Sequence, residues 1–159
     1  MGLVILRKII SASVSGALFA ILLGLVNPNP FGEDISSITL YLFAFVLATP
    51  VYLMYSFPVI LIYGILTSII SDTISNLISR KTNNGKIEVI ISGILHVCFG
   101  LILFPYSFVA AILFFITDRL LQKSNHQFNW LHSVKSLAIP LAVWLFFMGI
   151  VYLEHIFSN

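Results

Sequence analysis

Three ionisable residues stand in almost wholly apolar surroundings: Asp72 in "GILTSIISDTIS", His96 in "ISGILHVCFGLIL" and Asp118 in "FFITDRL". An imidazole or carboxylate in such a setting is suited to passing protons, holding a small polar ligand or lining an ion path. Each also has a structural use. A neutral imidazole is satisfied by one carbonyl or hydroxyl, which is the reading for His96. A carboxylate closing an apolar run marks a helix entering water, which is the reading for Asp72. Nothing in the sequence brings Asp72 and Asp118 together as a carboxylate pair.

Other chemistry is thinly represented. No second ligand stands at His-x-x-x-His or Glu-x-x-His spacing to His96, so no metal is expected. Gly-x-Ser-x-Gly, His-Glu-x-x-His and phosphate-loop patterns are absent. No catalytic residue and no cofactor are assigned, and an enzyme is not expected. The single cysteine, Cys98, excludes an internal disulfide and reads as an inert core thiol among apolar neighbours.

Small residues form the other pattern. Ala12, Gly16, Ala20 and Gly24 recur every four positions, a stripe that lets helix backbones approach closely in lipid. It suits either a dimer face or packing within the chain, and the latter is the stronger expectation. Ser11, Ser13 and Ser15 beside it are expected to bond back to their own helix. Gly93 and Gly100, with Ser92 and His96, make a second small and polar face.

The elements that carry these residues follow from composition. Of 159 residues, 59% are hydrophobic and 9% charged. A soluble domain has about 25% charged residues, and one of this size could not hide so much apolar surface. The solvent is partly lipid. A net charge of +2 without basic-aromatic patterning gives no case for nucleic acid. The first apolar stretch follows Arg7-Lys8 but lacks an A-x-A-like cleavage site, so it reads as a retained helix.

With Pro, Gly, Asn and charge clusters as punctuation, one all-α membrane domain over 1–159 is expected, a helical bundle of about five transmembrane helices. The spans are 9–26, 36–66, 87–104, 106–121 and 136–156, with Asp34 or Ser36 as the second helix's N-cap. From Ile35 the chain runs 37 residues without a charge, nearly twice what one crossing needs. Beyond it, Leu66, Ile70, Ile74 and Leu77-Ile78 share one helical face, opposite Ser68, Asp72, Ser75 and Ser79. An amphipathic cytoplasmic helix over 67–80 is expected there, with a break at Ser56-Phe57-Pro58 as an alternative.

Charge distribution sets the orientation. With five crossings and the N-terminus inside, all eight basic residues are cytoplasmic, while Glu33, Asp34 and Glu154 lie outside. Six crossings, or four, would place basic clusters outside. Folding the third and fourth spans about Pro105 brings Glu88 near Arg119, where an ion pair is expected. Trp130 reads as an interfacial anchor before the last span.

The stretch "YGILTSIISDTIS" resembles part of the UPF0715 group, small membrane proteins of Bacillus-type bacteria. That resemblance covers the second span and extends toward the third and fourth. It implies a Gram-positive plasma membrane and carries no site residue or activity. Two functions follow from the residues: action through helix contacts with a membrane partner, in an assembly, immunity or regulatory role, or a small oligomeric transporter or channel. The first is preferred, because the spans carry few polar groups and no internal repeat. Its partners would be the lipid bilayer and a second membrane polypeptide or further copies of the chain.

The charge asymmetry has a direct test. In a Cys98→Ser background, cysteines placed at Asn29 and Asn159 should react with an impermeant thiol reagent added to intact cells, and one at Asn84 should not. Labelling of the Asn84 position from outside excludes the five-span orientation.

Overall fold

The computed structural model describes residues 2–29, 32, 35–82, 85–103, 105–124 and 128–158. The expectations placed on Glu33, Asp34, Asn84 and Asn159 lie outside the described residues. All regular structure among the described residues is helical: α1 Gly2–Val26, α2 Ile38–Val59, a π-helical turn Ile60–Gly64, α3 Ile65–Thr82, α4 Gly85–Leu103, α5 Pro105–Lys123, α6 Trp130–Ser136 and α7 Ala138–Ser158. Three stretches are long and apolar enough to cross a bilayer: Gly2–Val26, Ile38–Lys81 and Trp130–Phe157.

The long apolar run is one rod. Helix α2 is capped by Ser37, whose Oγ accepts from the Leu40 amide, one position beyond Ser36. It then passes through Pro50 and Pro58 without breaking. Each proline removes a backbone donor, and membrane helices absorb such losses by local widening. The widening lies just after Pro58, as the π turn, and of the two alternatives the structure shows the continuous helix rather than a break at residues 56–58. No reversal occurs between residues 38 and 82.

The helices alternate in direction around α1. The rod runs antiparallel to it: Tyr41 and Tyr52 donate to the carbonyls of Leu25 and Asn27 at one end, and Asp72 reaches Lys8 at the other. Helices α4 and α5 form a hairpin whose open end joins the Lys8 end through Asp118. Helix α6, capped by Asn129 with His132 completing a capping box, lies against the start of α1, where Ser133 donates to the Leu6 carbonyl at 2.9 Å. From the Ser136–Ser13 contact at the end of α6, the chain continues as α7 parallel to α1, to the edge-on ring contact of Phe147 with Phe45.

The core is small and built on close approach. Ala12, Phe19, Ile60, Ala110 and Phe114 form its buried apolar cluster. Ala12, Gly16, Ala20 and Gly24 are all buried, and within the chain α2 and the core cover them. A Cβ on Gly16 would come 2.8 Å from the Phe57 ring, and one on Gly24 would come 2.5 Å from Thr49 Oγ1. Ser11, Ser13 and Ser15 donate to the carbonyls of Arg7, Ile9 and Ser11 one turn back. Gly100 lets α4 meet α5: a Cβ there would lie 2.6 Å from the Ala111 methyl. Gly93 seats the Phe115 ring.

Two expectations fail on helical phase. Ser92, His96 and Gly100 are buried on α4, one turn apart, so Cys98 falls on the opposite side and is exposed. Helix α3 is amphipathic with the reverse sense of a soluble helix. Leu66, Ile70, Ile74, Leu77 and Ile78 face outward, while Thr67, Ser68, Ser71 and Ser75 are buried. In lipid that orientation is the favourable one, because polar groups are satisfied inside and apolar groups outside. An amphipathic helix here suits either an interface or packing against another helix, and the stretch 67–80 does the second, as part of the bundle wall against α4 and α1.

Close packing at the stripe sets an expected outcome. Gly16→Leu must displace Phe57, and overpacking of this kind costs about 1 to 3 kcal/mol. Its melting temperature in mild detergent should fall well below that of Leu22→Ile, which alters an outward-facing side chain. Equal melting temperatures would show that the α1–α2 contact is loose.

Candidate functional site: a buried charge cluster and the cavity beside it

The polar face of α3 meets α1, α4 and α5 at the end of the bundle where α1 begins. Arg7 and Lys8 come from α1, Asp72 from α3, Ser92 from α4, and Asp118 and Arg119 from α5. The Lys8 ammonium is fully buried and sits between two carboxylates, 2.7 Å from Asp72 Oδ2 and 3.3 Å from Asp118 Oδ2. It also donates to Ser68 Oγ. Arg7 binds Asp118 with both ends of its fork, Nε to Oδ1 at 2.9 Å and Nη2 to Oδ2 at 3.3 Å. Arg119 Nη2 reaches Asp72 Oδ1 and Ser92 Oγ, each at 2.6 Å, and Ser92 donates to the same carboxylate at 2.8 Å. The Arg119 guanidinium lies over the Phe115 ring, 5.2 Å from its centre.

This arrangement overturns two expectations. Asp72 is not solvated on a polar surface: its side chain is 18% exposed and holds three partners. Arg119 pairs with Asp72 and not with Glu88. Its level on α4 is that of Ser92, one turn further into the helix than Glu88, and α3 presents a carboxylate there. Asp72 and Asp118 do come together, with Lys8 between them. The clue available in sequence was the polar stripe of α3 itself; its direction required knowing that the outside is apolar.

Three cations thus face two carboxylates. Two polar atoms beside them, Arg119 Nε and Ser71 Oγ, are buried with no partner among the described residues. Around the cluster the outer surface is apolar, with Ile70 and Ile74 on α3, Val89 and Ile90 on α4, and Ile116 and Leu120 on α5 all exposed. Charge inside and hydrocarbon outside is the inverse of a soluble protein and the normal order in a bilayer.

His96 lies one helical turn beyond Ser92 on α4 and is 3% exposed. Its ring is tilted against Phe114, with centres 5.3 Å apart. No hydrogen bond to its nitrogens is present among the described residues, so the expected single carbonyl or hydroxyl partner is not there. Instead His96 lines a cavity with Tyr63, Gly64 and Thr67 from the rod and Ser107, Ala110 and Phe114 from α5. About 40 Å³ of it is open to the centre of a water molecule. No group of three or more His, Cys, Asp or Glu with metal-binding geometry occurs among the described residues.

No protein-family model, curated protein or solved structure matches the chain. The resemblance of "YGILTSIISDTIS" to the UPF0715 group gains no support from them, and the site rests on its own geometry.

Removing one member of a buried charge pair strands the other, at a cost on the order of 3 to 5 kcal/mol. Asp72→Asn should therefore lower the melting temperature and the membrane abundance sharply, as should Lys8→Met. In the Lys8→Met/Asp72→Asn double variant the losses should be clearly less than additive, as in a double-mutant cycle for contacting residues. Wild-type stability of Asp72→Asn would mean that its carboxylate is hydrated.

Proposed function

We propose that this chain is a five-span protein of a bacterial plasma membrane, with its N-terminus in the cytoplasm, that moves a small ion across that membrane. The alternation of direction through α1, the rod, α4, α5 and α7 supports five crossings independently of charge counting. Helices α4 and α5 have 19 residues each, about 28 Å of helix against a hydrocarbon core of about 30 Å. Arg7, Lys8, Asp72, Asp118 and Arg119 meet at one end of the bundle, which the positive-inside rule makes the cytoplasmic end.

The observation that carries the transport reading is the charge cluster inside an apolar girdle. Ionisable side chains inside a membrane are costly, and where they persist they commonly mark ion pathways and relays. A purely structural tie between helices could be made at lower cost with apolar residues of similar volume. The helix-contact role preferred from sequence rested in part on the spans carrying few polar groups, and the ion pairs gathered inside the bundle weaken that ground. One observation still favours it as a second reading: α7 packs on α2, α1 and α6 and leaves Leu141, Leu145, Phe146, Tyr152 and Leu153 exposed.

The two readings part in reconstituted vesicles. Protein that is folded and monodisperse in mild detergent should, in liposomes, dissipate an imposed ion gradient, and the Lys8→Met/Asp72→Asn double variant, prepared to the same folded and monodisperse standard, should not. Absence of flux for protons, alkali cations and chloride, together with stoichiometric co-purification of a second membrane polypeptide, would favour the contact role instead.

A further inference from the structure

We propose that His96 is a proton-accepting station in a hydrated cavity, and that the ion carried is the proton. This rests on the transport reading above and narrows it to one ion and one side chain. The cavity has room for more than one water, since each needs roughly 10 to 15 Å³. Its lining is mostly apolar, with His96, Tyr63, Thr67 and Ser107 as the polar side chains that could partner water. Tyr63 donates to the Phe99 carbonyl at 3.0 Å, Thr67 to that of Tyr63 at 2.9 Å, and Ser107 to that of Gly100. With those hydroxyl protons engaged on backbone, His96 is the lining side chain that can both give and take a proton.

The placement is continuous along the bundle. On α4 the inward positions Ser92, His96 and Gly100, the first two polar, are successive turns, about 6 Å apart. Ser92 touches the charge cluster, His96 lines the cavity, and Gly100 meets Ser107 near the α4–α5 connection. On the rod, Ser68 binds Lys8, Thr67 lines the cavity and Tyr63 lines its far end. The π turn Ile60–Gly64 forms one wall, and π turns inside helices are frequent at functional sites. The charged groups that face His96 are Lys8 from α1, Asp72 from α3, and Asp118 and Arg119 from α5.

The step balances simply. A hydronium in the cavity gives one proton to a ring nitrogen of His96. The ring then releases one to water on the cluster side, and no other bond changes. Asp72 and Asp118 offer acceptor oxygens on that side, while the surplus cation among Arg7, Lys8 and Arg119 opposes the entry of positive ions, metal cations included.

The experiment uses the full chain in liposomes with a pH-sensitive dye inside and an imposed proton gradient. Wild type should acidify the lumen, and folded His96→Phe should do so roughly tenfold or more slowly. Cys98→Ser, on the outward face of the same helix, should match wild type. Wild-type proton flux in folded His96→Phe overturns the relay. So does flux of potassium or chloride without proton flux, an outcome that leaves ion transport standing; absence of all flux removes both. If His96→Phe does not fold, the ring is read directly in a His126→Gln, His132→Gln, His155→Gln background, where His96 is the one histidine left. Magnetisation transfer from water protons to its nitrogens supports the hydrated cavity, and no transfer overturns it.

Discussion

A lysine ammonium with no contact to solvent is the constraint on which the rest of the bundle depends. Taking such an ion out of water carries a penalty of several kcal/mol even after relaxation. It is offset only if carboxylates reach it at hydrogen-bond distance with little freedom left in the helices that bear them. Asp72 and Asp118 do so from different helices, and each is held in turn by an arginine. The cluster therefore fixes the rotation of α1, α3 and α5 about their own axes. Ser92, bonded to Asp72 and Arg119, brings α4 into the same lock.

The apolar contacts have the complementary role. Between helices in lipid there is no hydrophobic driving force, so association relies on close packing and polar contacts. Gly16 and Gly24 let α2 lie against α1, and Gly100 lets α5 lie against α4. These contacts bring the helices near without choosing a unique rotation, because small residues present few distinguishing shapes. The charges choose it. That division explains why large apolar residues dominate the exterior while the buried core holds many serines.

The sequence made the helical class, the small-residue stripe and most helix boundaries legible, because periodicity and punctuation are local signals. It also picked out Asp72, His96 and Asp118 as the residues to watch. Their arrangement was not legible. Pairing Arg119 with Glu88 followed from treating α4 and α5 as an isolated hairpin, whereas α3 supplies the third side. Asp72 went to the surface in that reading because a polar face was assumed to seek water. Charge counting had a related blind spot. Arg7, Lys8 and Arg119 weigh in the positive-inside balance, yet all three turn into the bundle, and counting charges does not say which way a side chain points.

The π turn ties this arrangement to the backbone. Thr49, Leu53, Ile60, Ser68, Ser71 and Ser75 are buried along a single line of the rod, with Gly64 on the cavity wall between them. With half-buried Phe57 filling the step between Leu53 and Ile60, Thr49 and Ser75 lie 26 residues apart and are separated by seven steps of that line. Seven turns of regular α-helix take up about 25 residues, so nearly one is left over. An unbroken α-helix would carry the line away from α1 by most of the roughly 100° that one residue subtends. The wide turn after Pro58 absorbs the surplus residue in one place. Everything beyond it returns to phase, with the serine face of α3 turned inward and Asp72 aimed at Lys8. The same widening opens the wall on which Tyr63 and Gly64 face His96. The cavity wall and the inward serine face of α3 thus meet at one local departure from α-helical geometry.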